Sequence, residues 1–272
     1  MRRNPGAIVG GTVVGLFVLL ALAAPLVAPS GPTEVVGGLA RTPPGPRAEH
    51  WFGLDEQGRD MFSRIVFGAR LSLLVGFVSV LVGLSLGLVL GSVAGFVGGR
   101  IDSLIMRVMD LMLAFPQFLL AVGLITLLGP GLIQIMVAIG VVTVPQFARL
   151  LRGSVLAQRE ADYVLAARSL GTPSLRILLT HVLPNSIAPV IVLATLTMAT
   201  AIIDVAGLSF LGLGPADPGL PEWGRMLADN ASRLESGVHL VLFPGFAIVL
   251  LVLGINLVGD GLREALDPRL GR

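Results

Sequence analysis

The sequence lacks two residue types, cysteine and lysine. Without cysteine, the chain has neither a disulfide nor a thiolate metal site. All 19 basic residues are arginine. A P-loop needs a lysine that reaches the nucleotide phosphates, so the chain has no P-loop. If ATP drives the work of this protein, another chain must hydrolyse it. A nucleic-acid partner is not indicated, because the formal net charge is only +2.

Charged residues are also scarce, at 13% of the chain against about 25% in a soluble domain. Five uncharged apolar runs are long enough to cross a bilayer. They span residues 6–31, 71–99, 111–148, 182–203 and 236–259. The third is too long for one span, and a Gly-Pro-Gly turn at 129–131 divides it. The sequence therefore predicts an all-α, polytopic membrane protein with six transmembrane helices.

The first run, about 21 apolar residues, is longer than the roughly 7–15 residues of a signal-peptide core. We therefore expect a retained first helix, with the N-terminus in the cytoplasm. Six spans then return the C-terminus to the cytoplasm as well. The inside segments hold 12 arginines against 7 acidic residues; they are 1–6, 100–110, 149–181 and 260–272. The outside segments 32–70 and 204–235, leaving Asp204 aside, hold 7 arginines against 9 acidic residues. The inside excess of arginine favours this orientation.

Glycine recurs at every fourth position of the second span, at Gly83, Gly87, Gly91 and Gly95. This spacing places the four on one helix face, where small residues allow a second helix to approach closely. The alternative is that glycine is simply common in membrane helices. Before this span, residues 55–70 carry apolar side chains at helical spacing between charges. They predict an amphipathic helix on the outer surface that leads into the span.

The stretch "LAARSLGTPSLRILLTHVLPN", residues 165–185, interrupts the apolar sequence between the fourth and fifth spans. Its first part predicts a short helix with an apolar stripe of Tyr163, Ala166, Ala167 and Leu170. Gly171 follows as a C-terminal cap, since glycine accepts the left-handed conformation at no steric cost.

A second helix is predicted to follow directly. Thr172 and Pro173 suit its N-cap and first helical position, and Pro184 ends its regular pattern. The alternative is a solvated loop, but a loop does not need two capped amphipathic helices. The result is a cytoplasmic helix–turn–helix joined at both ends to membrane spans.

This segment resembles the cytoplasmic EAA loop of permease subunits from binding-protein-dependent ABC importers. That pattern has Glu-Ala-Ala, three residues, Gly, nine residues, Ile, one residue and Leu-Pro. The positions that match it are Ala166, Ala167, Gly171, Leu183 and Pro184. The chain departs from the pattern at Leu165, which replaces the glutamate, and at His181, which replaces the isoleucine.

Longer stretches, among them "GLDEQGRDMFSRIVFGARLSLLVG", "DLMLAFPQFLLA", "LSFLGLG" and "NLVGDGLREALDPRL", resemble the C-type permease subunit of dipeptide/oligopeptide importers. That group includes nickel and glutathione systems. The resemblance covers nearly the whole chain after about residue 48. It implies the type I ABC importer permease fold in a bacterial cytoplasmic (inner) membrane.

The resemblance also implies partners: a homologous permease in a heterodimer, two ABC ATPases that hold ATP and Mg, an extracytoplasmic solute-binding protein and membrane lipids. The chain itself is then not an enzyme and carries no cofactor, catalytic residue or metal. Its expected divisions are an N-terminal transmembrane helix at 1–28 and an extracytoplasmic loop at 29–70. A permease core at 71–260, with the coupling loop at about 153–185, and a cytoplasmic tail at 261–272 complete the chain.

By the same resemblance, residues 163–181 form coupling helices that dock on an ATPase. The residues expected to make or shape this contact are Tyr163, Ala166, Ala167, Arg168, Gly171, Thr172, Pro173, Arg176, His181 and Pro184. Asp204, Ser209 and Phe210 are candidates for the translocation path. For Asp204 the alternative is the outer interface, where a carboxylate costs little. Trp223 is expected at that interface as an anchor, or against the binding protein.

Two other functional classes are weaker. An ion-coupled secondary transporter would use embedded ionisable residues and internal repeats, and the chain offers one doubtful acid and no evident repeat. A membrane enzyme would need a catalytic or metal-binding motif. The three histidines cannot form one metal site, because the topology places His50 and His239 outside or near the outer edge and His181 inside. Within the resembled group, the cargo is a di- or oligopeptide, nickel, glutathione or another small solute.

Overall fold

The structure is a computed structural model that describes residues 4–37, 44–215, 217, 219–235 and 237–266. Its regular elements are helices, and the described residues contain only isolated β-bridges rather than strands. The helices are α1 (Pro5–Leu22), α2 (Ala24–Val27), α3 (Met61–Val97), α4 (Gly99–Leu113), α5 (Gln117–Leu128), α6 (Leu132–Arg159), α7 (Asp162–Ser169), α8 (Ser174–Ile177), α9 (Leu183–Ser186), α10 (Ala188–Leu208), α11 (Trp223–Asn230) and α12 (His239–Leu266). The all-α membrane fold predicted from the sequence is confirmed.

Five of the described helices, α1, α3, α6, α10 and α12, are long and apolar enough to cross a bilayer. The prediction of six spans holds only if α4 and α5 count together as one, because they meet at a bend of 93°. With 12 residues, α5 is about 18 Å long and cannot cross a hydrocarbon core of about 30 Å alone. The predicted turn at 129–131 does separate α5 from α6.

Among the described helices, α3 and α6 make the most extensive contact, and the glycine face of α3 makes it possible. A Cβ added at Gly91 would lie 2.6 Å from the carbonyl oxygen of Ala148, and one at Gly95 would lie 2.9 Å from that of Arg152. Gly83 and Gly87 face α6 in the same way. Such distances leave no room for a side chain, so the two backbones are nearly in contact. The helix that these glycines admit therefore belongs to the same chain.

At one end of the bundle, α3 projects beyond the membrane thickness, since its 37 residues measure about 55 Å. The predicted amphipathic surface helix at 55–70 is therefore wrong in its bounds and its exposure. Residues 55–60 form a turn, α3 begins at Met61, and Ile65 is buried. The reason is that α11 and the loop before α3 cover the first turns of α3. We call residues 44–60 together with α11 the cap.

Charged and aromatic side chains hold the cap in place. Asp55 accepts hydrogen bonds from the backbone N–H of Gln57 and of Arg59 at 2.9 Å each, and from the Arg59 Nε at 2.6 Å. Trp223 is fully buried and donates from its indole Nε1 to the Ile65 carbonyl at 3.1 Å. The expectation that Trp223 lies at the membrane interface or faces a partner is therefore wrong. Its ring fills the space that Gly68 leaves on α3.

Two helix boundaries differ from the ends of the apolar runs in the sequence. The helix of the fourth span extends past the end of its apolar run at residue 148, because α6 continues to Arg159. The fifth span starts at Ala188 rather than 182, since the preceding residues belong to the segment between α6 and α10. The first helix, α1, packs along α12, where a Cβ at Gly10 would lie 2.7 Å from the Gly254 carbonyl.

Candidate coupling segment and translocation cavity

The predicted coupling loop, residues 153–185, folds as a helix–turn–helix at the end of the bundle opposite the cap. We call it the 153–185 segment. Its first helix, α7, is joined to the end of α6 by the Tyr163 hydroxyl, which donates to Gln158 Oε1 at 2.6 Å. On its inner side, the buried side chains of Val164, Ile177 and Val182 belong to the same apolar cluster as Val155 of α6. The segment is therefore packed onto the bundle rather than loosely tethered.

The turn between its helices has the geometry that the sequence predicts. Gly171 adopts φ +75°, in the left-handed region. Its N–H donates to the Arg168 carbonyl at 2.9 Å, and the Thr172 N–H donates to the Ala167 carbonyl at 3.1 Å. These two bonds are the 5→2 and 6→1 pairs of a Schellman motif, which satisfies the last carbonyls of α7. The reversal of direction is thus fixed by backbone hydrogen bonds.

The start of the second helix differs by one residue from the prediction. Pro173 occupies the N-cap position with an extended ψ of 139°, and α8 begins at Ser174. Thr172 is therefore part of the turn and not the N-cap. The predicted start was one residue too early, because the extended ψ of Pro173 keeps it out of the helix. The carbonyl of Pro173 still accepts the first helical hydrogen bond, from the Ile177 N–H at 3.0 Å.

Pro184 does not end this helix, contrary to the prediction. The helix widens into a π-helical turn at Leu178–Val182, closed by the Leu183 N–H donating to the Leu178 carbonyl, and then continues as α9. Proline lacks an N–H and clashes with the preceding turn, and a π-helical turn relieves both problems. His181 lies in this turn, with its ring 6.5 Å from that of Tyr163 and tilted by 23°. Helical backbone thus continues almost without interruption towards α10.

The outward face of the 153–185 segment is apolar, with arginines beside it. Four leucines point away from the chain, and they are Leu165, Leu170, Leu175 and Leu179, with Leu170 87% exposed. Arg168 and Arg176 are exposed on the same surface, as is Ala166. Ala167 is instead buried in the core cluster, so the prediction that both alanines offer a docking surface is wrong for Ala167. A concentration of exposed large apolar side chains is typical of a protein interaction site.

Ion pairs tie the end of α6 to its neighbours just before this segment. Arg152 makes two hydrogen bonds to Asp102 of α4, at 2.5 and 2.6 Å. Arg149 donates a hydrogen bond to Asp110 of α4 at 2.6 Å. Arg159 donates to the Gly95 carbonyl at the end of α3, at 3.2 Å. Through these contacts α3, α4 and α6 form one unit from which the segment projects.

A second feature, a cavity of about 370 Å³, lies between α5, α6 and α10. Asp204 lines it, half-buried, on the wall formed by α10. The other polar residues of the lining are Gln117, Gln146, Thr197 and Thr200. Gln146 Nε2 donates to Gln117 Oε1 at 2.8 Å, which links α6 to the start of α5. These four residues were missed from the sequence. The available signal was their position as polar residues within apolar runs.

The two other candidates for the path lie elsewhere. Ser209 is buried in a π-helical turn at Ser209–Leu213, and Phe210 is half-exposed. Neither lines the cavity that contains Asp204. Gly212 in this turn has φ +81°, so "LSFLGLG" forms a real change of chain direction. Among the described residues, no group of three or more His, Asp or Glu side chains is arranged to hold a metal ion.

Comparison with protein families gives two matches along the chain. Residues 87–272 match the family described as "Binding-protein-dependent transport system inner membrane component". Residues 1–44 match the family described as "N-terminal TM domain of oligopeptide transport permease C". Together the two matches include α1, part of α3, and every helix from α4 to α12.

Named relatives match over almost their whole length. The dipeptide transport system permease protein DppC of Alkalihalophilus pseudofirmus is 49% identical over 271 residues, covering 99% of this chain and 88% of the relative. The di/tripeptide transport system permease protein DppC of Pseudomonas aeruginosa is 49% identical, with coverage of 98% and 89%. The glutathione transport system permease protein GsiD of Escherichia coli is 42% identical, with coverage of 99% and 88%.

Among solved structures, the fold is similar to that in "Inward facing conformations of the MetNI methionine ABC transporter". The TM-score is 0.62 with 21% sequence identity, and the match covers 76% of this chain and 98% of that chain. A likeness at this identity concerns the fold, which is that of a type I importer permease.

Proposed function

Since this chain belongs to the family of binding-protein-dependent transport system inner membrane components, we propose that it is the membrane-spanning permease subunit of an ATP-driven importer of di- and oligopeptides. It forms one half of the translocation path. A homologous permease forms the other half, two ABC ATPases supply the energy, and a solute-binding protein delivers the peptide. ATP and Mg bind to the ATPases and not to this chain.

The observation that carries this proposal is the 153–185 segment. It presents exposed leucines and arginines, and it is joined without a flexible linker to α6 on one side and to α10 on the other. A chain without a P-loop lysine can use ATP only if another protein moves it. A rigid projection with an exposed apolar surface, attached to two spanning helices, offers such a protein a binding site through which it can move both helices. The projection docks in a groove of the ATPase on the cytoplasmic side, with both termini on that side.

Motion of the projection is transmitted to the cavity because both helices that carry it also line the cavity. Gln146 lies on α6 thirteen residues before the end of that helix at Arg159, and Asp204 lies on α10. Closure of the ATPase pair shifts the projection, which tilts α6 and α10 and changes the opening of the path. α6 contains Pro145, next to Gln146. A proline within a helix removes one hydrogen bond and allows a bend there.

Peptide is the proposed cargo because the two relatives at 49% identity are named for dipeptide and di/tripeptide transport. Glutathione is the second candidate, favoured by the 42% identity to the glutathione permease. Glutathione is itself a small peptide-like solute with a free amino group, so both candidates make similar demands on the path. They are separated by competition, since excess glutathione blocks the uptake of labelled dipeptide only if it shares the system.

The test is uptake by the assembled complex in proteoliposomes with ATP enclosed and binding protein outside. We expect labelled dipeptide to accumulate only when ATP, Mg and the binding protein are all present. We also expect accumulation to persist when ionophores collapse the proton and sodium gradients. Uptake that stops on collapse of a gradient while ATP is still present would indicate an ion-coupled secondary transporter and would contradict the proposal.

A further inference from the structure

We propose that Asp204 holds the protonated amino group of the cargo as it passes through the cavity between α5, α6 and α10. This rests on the peptide-transport function proposed above. It adds a chemical class of group that the path recognises and the residue that recognises it.

Asp204 lies within a spanning segment. The apolar segment that includes α10 runs from Ala188 to Leu213, and Asp204 lies 16 residues from its start and nine from its end, or about 24 Å and about 14 Å. An ionisable group within a spanning segment normally faces water or a partner. Asp204 faces the cavity. A cavity of about 370 Å³ falls within the range of about 300–1,000 Å³ that small-molecule sites occupy.

Asp204 has no ion-pair partner in the part of the chain that the structure describes. The two acidic residues of α4, Asp102 and Asp110, are both paired with arginines of α6. By contrast, none of the ion pairs found among the described residues involves Asp204, and no basic side chain lines its cavity. A negative group that lines a cavity and has no cation beside it attracts a cation from what enters the cavity.

The neighbouring groups suit an ammonium ion. Thr200 precedes Asp204 by four residues on the same helix, which places the two side chains next to each other. The Thr200 hydroxyl donates to the Thr197 carbonyl at 3.0 Å, so its oxygen remains an acceptor. An ammonium group has three donors and no acceptor. The carboxylate and hydroxyl oxygens together meet that demand.

A metal ion suits the same lining poorly. The lining of the cavity has one carboxylate and no histidine, whereas nickel and similar ions prefer imidazole ligands. The remaining wall is apolar and includes Phe118, Leu193 and Leu196. It can contact side chains of varied shape without selecting among them. A fixed anionic contact beside an unselective apolar wall fits cargo molecules that share an amino terminus and differ in their side chains.

The experiment varies the charge on both sides of the contact. Uptake per ATP hydrolysed is measured in proteoliposomes for a labelled dipeptide and for its analogue with a hydroxyl in place of the amino group. Both are supplied at saturating occupancy of the binding protein, whose affinity for each is measured separately. The variants are Asp204→Asn and, as a matched control, Asp260→Asn, which removes an exposed carboxylate from the far end of α12.

We expect the unmodified complex and Asp260→Asn to prefer the amine by about tenfold, the discrimination of one charge-assisted hydrogen bond. Asp204→Asn should lose most of this preference. If Asp204→Asn keeps it, or if the unmodified complex shows none, the role of Asp204 is refuted while peptide transport stands. If the unmodified complex transports neither compound, the proposed function itself has failed. If the Asp204→Asn complex does not assemble, the Asp204→Glu complex is measured in its place. Because Asp204→Glu retains the negative charge, it should still prefer the amine, and loss of that preference would refute the role of the charge.

Discussion

The close contact of α3 with α6 makes a quantitative prediction for Gly91→Ala. The added Cβ would lie 2.6 Å from the Ala148 carbonyl oxygen, 3.0 Å from the Leu151 Cβ and 3.1 Å from the Ala148 Cα. Ordinary contacts of a Cβ begin at about 3.4 Å. The helices must therefore separate by about 3.4 − 2.6 = 0.8 Å at this point, because no side-chain rotation can move a carbonyl oxygen or a Cα.

Overpacking of this kind costs about 1–3 kcal/mol. Alanine also gains about 0.5–1 kcal/mol over glycine within a helix, which offsets part of that cost. A control variant removes this complication. Gly123→Ala makes the same chemical change in α5, where a Cβ meets nothing within 4 Å in the described part of the chain. The difference between the two variants then isolates the helix contact.

The assay is the thermal unfolding midpoint of the detergent-solubilised complex, measured on both variants at the same protein concentration. For a chain of this size, about 1 kcal/mol corresponds to roughly 2–4 °C. We expect Gly91→Ala to unfold about 2–12 °C below Gly123→Ala. Equal midpoints would refute the claim that the α3–α6 contact depends on the absence of a side chain at Gly91.

Two further predictions concern the 153–185 segment and its support. Gly171→Val should reduce the peptide-stimulated ATPase rate of the reconstituted complex, while Gly171→Asn should retain most of it. The reason is that a backbone φ of +75° strains a β-branched residue, whereas asparagine tolerates it. Equal ATPase rates for the two variants would contradict this. Arg152→Gln should destabilise the complex by about 1 kcal/mol, and Arg149→Gln by only about a few tenths of that. Arg152 makes two hydrogen bonds to Asp102, and the two side chains are 31% and 15% exposed. Arg149 makes one hydrogen bond to Asp110, and these side chains are 54% and 64% exposed, so solvent screens the pair more strongly. The reverse order of midpoints would show that these pairs do not support α6.

The sequence predicted the features that depend on composition and local spacing. Apolar runs locate the spanning helices, since length and hydropathy decide what can cross a bilayer. Glycine at every fourth position from Gly83 to Gly95 predicts a close contact with another helix, and in the structure that helix is α6. Gly171 predicts the left-handed turn because only a few residues accept that conformation.

Features that depend on contacts between distant residues could not be predicted in the same way. Asp110, for example, pairs with Arg149, which lies 39 residues away along the chain. Ala166 and Ala167 look alike in sequence, but α7 turns one outwards and the other into the core. Hydropathy contains no information about the direction of a helix axis, so the bend of 93° between α4 and α5 could not be predicted from it.

The cavity illustrates the same limit for the candidate site. Gln117, Gln146 and Thr200 come from three different helices and are unremarkable one at a time. Only the packing of α5, α6 and α10 brings them together with Asp204. The sequence identified Asp204 as a candidate but left open whether it lies at the interface or along the path. Its neighbours in the fold are what support a place in the path.

Docking of the 153–185 segment on partner ATPases can be measured directly, because the chain has no native cysteine. A single cysteine at Leu170, the most exposed of the four outward leucines, is labelled with a maleimide in the permease pair alone and in the complete complex. A cysteine at Val35, 60% exposed near the cap, is the control. We predict that the ATPases protect position 170 and leave position 35 unchanged. Equal labelling of position 170 with and without the ATPases would contradict the account.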